Sequence, residues 1–138
     1  MKNFKMEINR MKFPVFILSA LLCSCYLANG SPSSVEFWVK NGKKISINEV
    51  RSCQEKSFLS LGKRFEFLKS QFYKNGEYHP DQNSIYYKEY SEYRREASRR
   101  NAQCFYGLGY RFKAPLPWCL AQDGDNTRIC TENMKYRN

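Results

Sequence analysis

Outside its first 25 positions, the residues of this chain best able to do chemistry are four cysteines, Cys53, Cys104, Cys119 and Cys130. Thiols in such a set either hold a metal or pair with one another. Zinc sites draw ligands from close repeats such as C-x2-C, and none of these four is spaced that way. An even set in a small domain reads instead as two disulfides, formed in an oxidising compartment. His79 is the single histidine and lies beside Pro80 in a polar stretch, where Asp81 completes no triad, so it is expected to face solvent. No glycine-rich phosphate loop and no G-x-S-x-G elbow occurs. Asp123, Asp125 and Asn126 could present oxygens to calcium, but the run lacks the further oxygens and the distal acid of an EF-hand loop. Asp-Gly and Asp-Asn are also turn formers, and a turn is the expected use. The expectation is a non-enzymatic protein with no cofactor and no metal.

The cysteines need an exported chain, and the beginning of the sequence supplies the signal. Lys2, Lys5, Arg10 and Lys12 precede an apolar run, Phe13 to Leu22, which ends in Cys23-Ser24-Cys25. A basic leader followed by about ten apolar residues reads as a signal peptide over residues 1–24, too short to cross a ~30 Å hydrocarbon core as a permanent helix. Met11-Lys12-Phe13 would give a compact leader, and Met6 is another possible start. Leu22-Cys23-Ser24-Cys25 resembles the bacterial lipobox, with Leu three places before the cysteine and a small residue just before it; Cys23 is an unusual occupant of the middle position. The resemblance implies a lipid on Cys25, each buried CH₂ adding roughly 0.8 kcal/mol to membrane anchoring. Tyr26 stands where an Asp favours inner-membrane retention in lipoproteins, which implies the outer membrane. Cleavage after Ala28-Asn29-Gly30 is the alternative, and it would give a soluble periplasmic or secreted protein. Residues 25–34, ending in small polar positions from Ser31, read as a tether.

Removing residues 1–24 takes away four basic groups and one acid, so the net charge falls from +10 to +7. A basic surface of that size favours anionic partners through attraction that salt weakens. Anionic lipid, lipopolysaccharide and an acidic envelope protein are the expected classes, and export argues against nucleic acid.

Residues 35–138 are enough for one small domain with one core. The chain has 10 Tyr and 10 Phe while aliphatics are sparse, so rings must supply most of the buried area. Ser46-Ile47-Asn48-Glu49 has the form of a capping box and should start a helix. Phe58, Leu61, Phe65, Leu68 and Phe72 then recur at helical spacing to about Lys74, and Asn75-Gly76 stops the helix. After a polar connection, Tyr86, Tyr90, Tyr93, Ala97, Cys104 and Leu108 form a second stripe, interrupted by Asn101 and ended by Gly107 and Gly109. Arg94, Arg95, Arg99 and Arg100 lie mostly off the stripe and give this helix a basic outer side.

Two helices joined by a short connection pack antiparallel, so positions equally far from its midpoint come level. With His79 as midpoint, Cys53 lies 26 residues before it and Cys104 lies 25 after. Cys53–Cys104 is the expected staple, which leaves Cys119–Cys130 to close a C-terminal loop. The expected fold is mainly α: an antiparallel two-helix hairpin with a short N-terminal strand, Val35 to Lys40, and a disulfide-closed C-terminal loop. Trp38 is expected in the core.

Cys25, the Phe37-Trp38 start, a cysteine early in the first helix and the Cys104-Phe105-Tyr106-Gly107-Leu108-Gly109-Tyr110 ending of the second together resemble small bacterial envelope lipoproteins of a helical-hairpin, disulfide-stapled type. That resemblance covers most of the mature chain and implies location and fold, with no assigned activity. The expected function is a lipid-anchored cell-envelope protein that offers its basic hairpin to an anionic envelope component. A soluble secreted inhibitor or effector, using the Cys119–Cys130 loop against a protein target, is the alternative.

Overall fold

The structure, a computed structural model, describes residues 32–121 and 124–138. The leader, Cys25, the tether up to Ser31 and Asp123 lie outside the described residues. A 3-10 turn, Ser34–Phe37, leads into β1 (Trp38–Lys40), and β2 (Lys43–Lys44) returns beside it. Between them Asn41 and Gly42 both have positive φ, 51° and 74°, which a tight two-residue hairpin requires. β1 is shorter than the expected Val35 to Lys40 run because Ser34–Phe37 is already coiled.

The capping box forms. Ser46 Oγ accepts from the amide of Glu49, and the Glu49 carboxylate accepts from the amide of Ser46. Helix α1 spans Ile47–Phe72, but Gly62 breaks it, at φ 77° and ψ −175°. That backbone region is essentially reserved to glycine. The stripe of apolar residues continues past the break, which is why spacing alone reads as one uninterrupted helix. After Phe72 the chain extends into β3 (Tyr73–Lys74), turns through Asn75-Gly76, again both at positive φ, and returns as β4 (Glu77–Tyr78).

Helix α2 spans Tyr87–Gly107. Its buried positions are Tyr90, Ala97, Ala102 and Phe105. Cys104 is half-buried and Leu108 is exposed, so the inward face drifts by about one position in the last turns, as a straight 3.6-residue helix does against a fixed stripe. Next, β5 (Arg111–Phe112) adds to the free edge of β1, giving a three-stranded antiparallel sheet in the order β2-β1-β5 with Trp38 opposite Phe112. Two short helices, α3 (Leu116–Leu120) and α4 (Asn126–Asn133), and a 3-10 turn, Met134–Tyr136, close the chain. The Cys119–Cys130 disulfide closes this segment as expected, and within it Cys119, Leu120 and Asn126 to Cys130 are helical.

The described protein is mainly helical, with small antiparallel strands and two disulfides. Cys53 pairs with Cys104 at a Cα separation of 5.8 Å, and Cys119 with Cys130 at 5.7 Å. Rings fill two separate cores. In the first, Trp38 is 2% exposed and packs on Phe105, Phe112 and Tyr136, with Cys53 and Trp118 in the same cluster. In the second, Tyr90 stacks between Phe65 and Phe72, whose centroids lie 6.0 and 4.8 Å away, beside Leu68. Helices α1 and α2 meet in both cores, and Arg64 of α1 donates to Glu89 of α2 at 2.8 Å outside the second.

Candidate functional site

The exposed side of α2 carries the four arginines singled out in the sequence, and their surroundings divide them. Arg100 turns back toward α1. Its Nε donates to Glu96 at 2.9 Å, and its Nη1 donates to the Ser60 carbonyl at 2.9 Å and to Ser60 Oγ at 2.6 Å. A helix end leaves carbonyls without amide partners, and Arg100 satisfies one just before the Gly62 break. Arg99 reaches Glu132 of α4 at 3.5 Å and Glu96 at 3.7 Å. Glu132 also accepts from Arg128 at 3.1 Å, and Arg128 donates to Asp125 at 2.8 Å. One charge network therefore runs from Asp125 through Arg128, Glu132, Arg99, Glu96 and Arg100 to Ser60.

Arg94 and Arg95 are placed differently. The Arg94 guanidinium lies 4.9 Å over the Tyr78 ring, an arrangement that leaves its edge donors open to other partners. Both residues are exposed, and both border an open groove of about 450 Å³ between α2 and the start of α4, together with Ser91, Ser98, Asp125 and Arg128. The hydrogen bond from Arg128 holds the Asp125 carboxyl below its ordinary value, and the nearby charges of Arg95 and Arg94 push the same way. Arg128 is raised by the same pairing, and its Nε is buried without a hydrogen-bond partner among the described residues. Arg128 is compensated by both Asp125 and Glu132, whereas Arg94 and Arg95 border the groove with no ion pair among the described residues, so its excess positive charge is theirs.

Arg94 and Ser98 also border a second groove, of about 280 Å³, on the α1 side. Phe58 and Lys69 of α1 and Tyr73 of β3 line one wall, and Tyr90, Ala97 and Asn101 of α2 the other. Lys69 Nζ sits between two rings, 5.1 Å from the Phe58 centroid and 5.6 Å from that of Tyr73. Burial pushes the Tyr90 phenol up to about 12, so it stays protonated in neutral solution. Asn101 Oδ1 is buried and accepts no hydrogen bond among the described residues. The sequence signals Asn101 as the polar break in an apolar stripe. Lys69 and Tyr73 give no such signal, because an isolated Lys or Tyr near a helix end is ordinary.

The remaining candidates lie apart from these grooves. Cys53, Cys104, Cys119 and Cys130 are all in disulfides. His79 is exposed, 3.8 Å from Glu77. Among the described residues no group of three or more His, Cys, Asp or Glu is placed to hold a metal, and no helix is long and apolar enough to cross a membrane. The chain matches no family model, no curated protein and no solved structure.

Proposed function

We propose that this is a non-enzymatic, lipid-anchored cell-envelope protein, held at the outer membrane through Cys25. In this reading its two long helices form an antiparallel hairpin, stapled by Cys53–Cys104, that binds an anionic envelope component such as anionic lipid, lipopolysaccharide or an acidic protein. The observation that carries the binding role is the groove bordered by Arg94, Arg95 and Arg128, where Arg128 is paired with Asp125 and Glu132 while Arg94 and Arg95 have no ion pair among the described residues. Arg94 and Arg95 are the binding pair. Arg99 and Arg100 serve the fold, because they spend their donors on Glu132, Glu96 and Ser60.

Co-sedimentation with vesicles containing anionic phospholipid tests this division. Arg94→Gln with Arg95→Gln is expected to remove most of the salt-sensitive retention while leaving the melting temperature near that of the parent. Arg99→Gln with Arg100→Gln is expected to lower the melting temperature and retain binding. Equal retention by the parent and the Arg94, Arg95 variant contradicts the proposal.

The secreted alternative has one observation in its favour: Leu116 and Leu120 of α3, beside the Cys119–Cys130 staple, are 68% and 64% exposed. Metabolic lipid labelling separates the two readings. Label that disappears in Cys25→Ser supports the anchor, and a parent that takes up no label supports secretion.

A further inference from the structure

Leu116 and Leu120 stand one turn apart on α3 and share its outer side, opposite Trp118, which is buried. Pro115 and Pro117 are exposed beside them. From Ala114 to Ala121 the chain carries no charged residue, and Lys113, exposed, stands at the start of that run. Two leucines and two prolines thus form an apolar face edged by a cation. Clustered apolar exposure of this kind, unlike a lone exposed leucine, marks an interaction surface.

What covers this face follows from where the chain enters the domain. The Phe37 ring lies 4.7 Å from that of Trp118, and the Phe37 carbonyl accepts from the Lys113 amide at 2.8 Å. The entry is therefore next to α3. Ser33 lies eight positions after Cys25, and eight residues in any conformation reach less than about 30 Å. A lipid on Cys25 would hold this end of the domain at the bilayer, and so short a tether presents α3 to it at high effective concentration. Positive charge lies close by: Thr127 Oγ1 of α4 donates to the Cys119 carbonyl of α3 at 2.8 Å, and the next residue, Arg128, borders the groove of Arg94 and Arg95. A protein is a poorer occupant, because a face of these few side chains falls far short of the roughly 20–30 residues that a stable interface engages on each side.

We propose that α3 lies on the bilayer that anchors Cys25, with Leu116 and Leu120 buried below the headgroups and Lys113 among the phosphates. The contact rests on the lipid anchor and goes beyond it by naming the face of the domain that the membrane covers. A helix of five residues does not span; it sits in the interface, its apolar side roughly 5–10 Å deep. In a secreted protein the same two leucines would meet a protein target, so lipid and protein adducts are opposite results.

The test replaces Leu116, Leu120 or Ile85 of the full-length protein with photoreactive benzoylphenylalanine, irradiates the protein in its native membrane and reads the mass of the adducts. Ile85 is the reference, exposed and just before α2, at the other end of that helix from Phe105 and the first core. Phospholipid adducts are expected at Leu116 and Leu120 in several-fold higher yield than at Ile85. Equal yields at all three positions, or protein adducts in place of lipid, overturn the proposal. The intact mass of the same preparation separates it from the anchor: acylated Cys25 without lipid adducts at Leu116 or Leu120 overturns the α3 contact alone, and a chain without acyl groups overturns both. Hydroxyl-radical labelling reads the native leucines. Leu116 and Leu120 are expected to be oxidised several-fold less in the membrane than in the unanchored Cys25→Ser protein, with Ile85 oxidised equally in the two; no protection of the leucines overturns the contact even where a photoreactive variant fails to fold.

Discussion

Glu49 shows how much one side chain can tie together. Its carboxylate accepts from Ser46 Oγ at 2.6 Å, from the Ser46 amide at 3.1 Å and from Tyr110 Oη at 2.8 Å. These bonds, that of Ser46 foremost, hold its carboxyl below the ordinary 4.5, and the Tyr110 phenol is raised in return. Glu89 is lowered by the hydrogen bond from Arg64, and Asp125 by that from Arg128. A carboxyl whose folded pKa lies below its unfolded value stabilises the fold fully above the unfolded value and loses that contribution as pH falls through the folded one. The melting temperature is therefore expected to be level above the ordinary glutamate value of 4.5 and to fall progressively below it. Thermal scans across an acid pH series check this; a melting temperature that rises on acidification contradicts it. The Ser46 to Glu49 box is legible in the sequence because its partners are three residues apart. The Tyr110 bond is not, because 61 residues separate it from Glu49 and no local pattern records so distant a pairing.

Among the elements, the break in α1 matters most. Gly62 has no heavy atom within 4 Å of where a Cβ would stand, so space does not require glycine there; the backbone conformation does. Gly62→Ala is expected to destabilise the fold by on the order of 1–3 kcal/mol, the usual cost of forcing a side chain into such a region. Chemical denaturation measures it, and an unchanged or raised midpoint would mean that the helix simply straightens at no cost. Arg100, at the far end of the ion-pair network from Asp125, covers the carbonyl of Ser60 beside this break. The stripe from Phe58 to Phe72 marks the face of α1 but hides the break, because a glycine off the stripe leaves the apolar spacing intact. The three-stranded sheet is hidden for a different reason. β2 and β5 have two residues each, too few to show alternation, and both long helices separate β5 in the chain from its partner β1.

At the scale of the molecule, aromatic packing is divided between two cores and reinforced by two covalent links. Cys53–Cys104 closes a span of 51 residues and Cys119–Cys130 one of 11. By the chain-entropy argument they contribute roughly 4 and roughly 3 kcal/mol, respectively. Replacing both cysteines of the first pair by serine is therefore expected to lower stability somewhat more than replacing both of the second, as read from denaturation midpoints. The reverse order would mean that native-state effects outweigh loop length. The pairing itself is legible from helix geometry, because Cys53 and Cys104 stand nearly equidistant from the connection between the helices. The division of the arginines is not, since it depends on where Glu132 and Ser60 come to lie.

The proposed lipid anchor and the two staples are tested most directly by the intact mass of the protein purified from its native membrane, before and after reduction. The expected result is a chain beginning at Cys25 that carries acyl groups and gains about four hydrogens on reduction, two for each disulfide. An unmodified chain beginning near Ser31 would contradict the anchor, and a mass unchanged by reduction would contradict the staples.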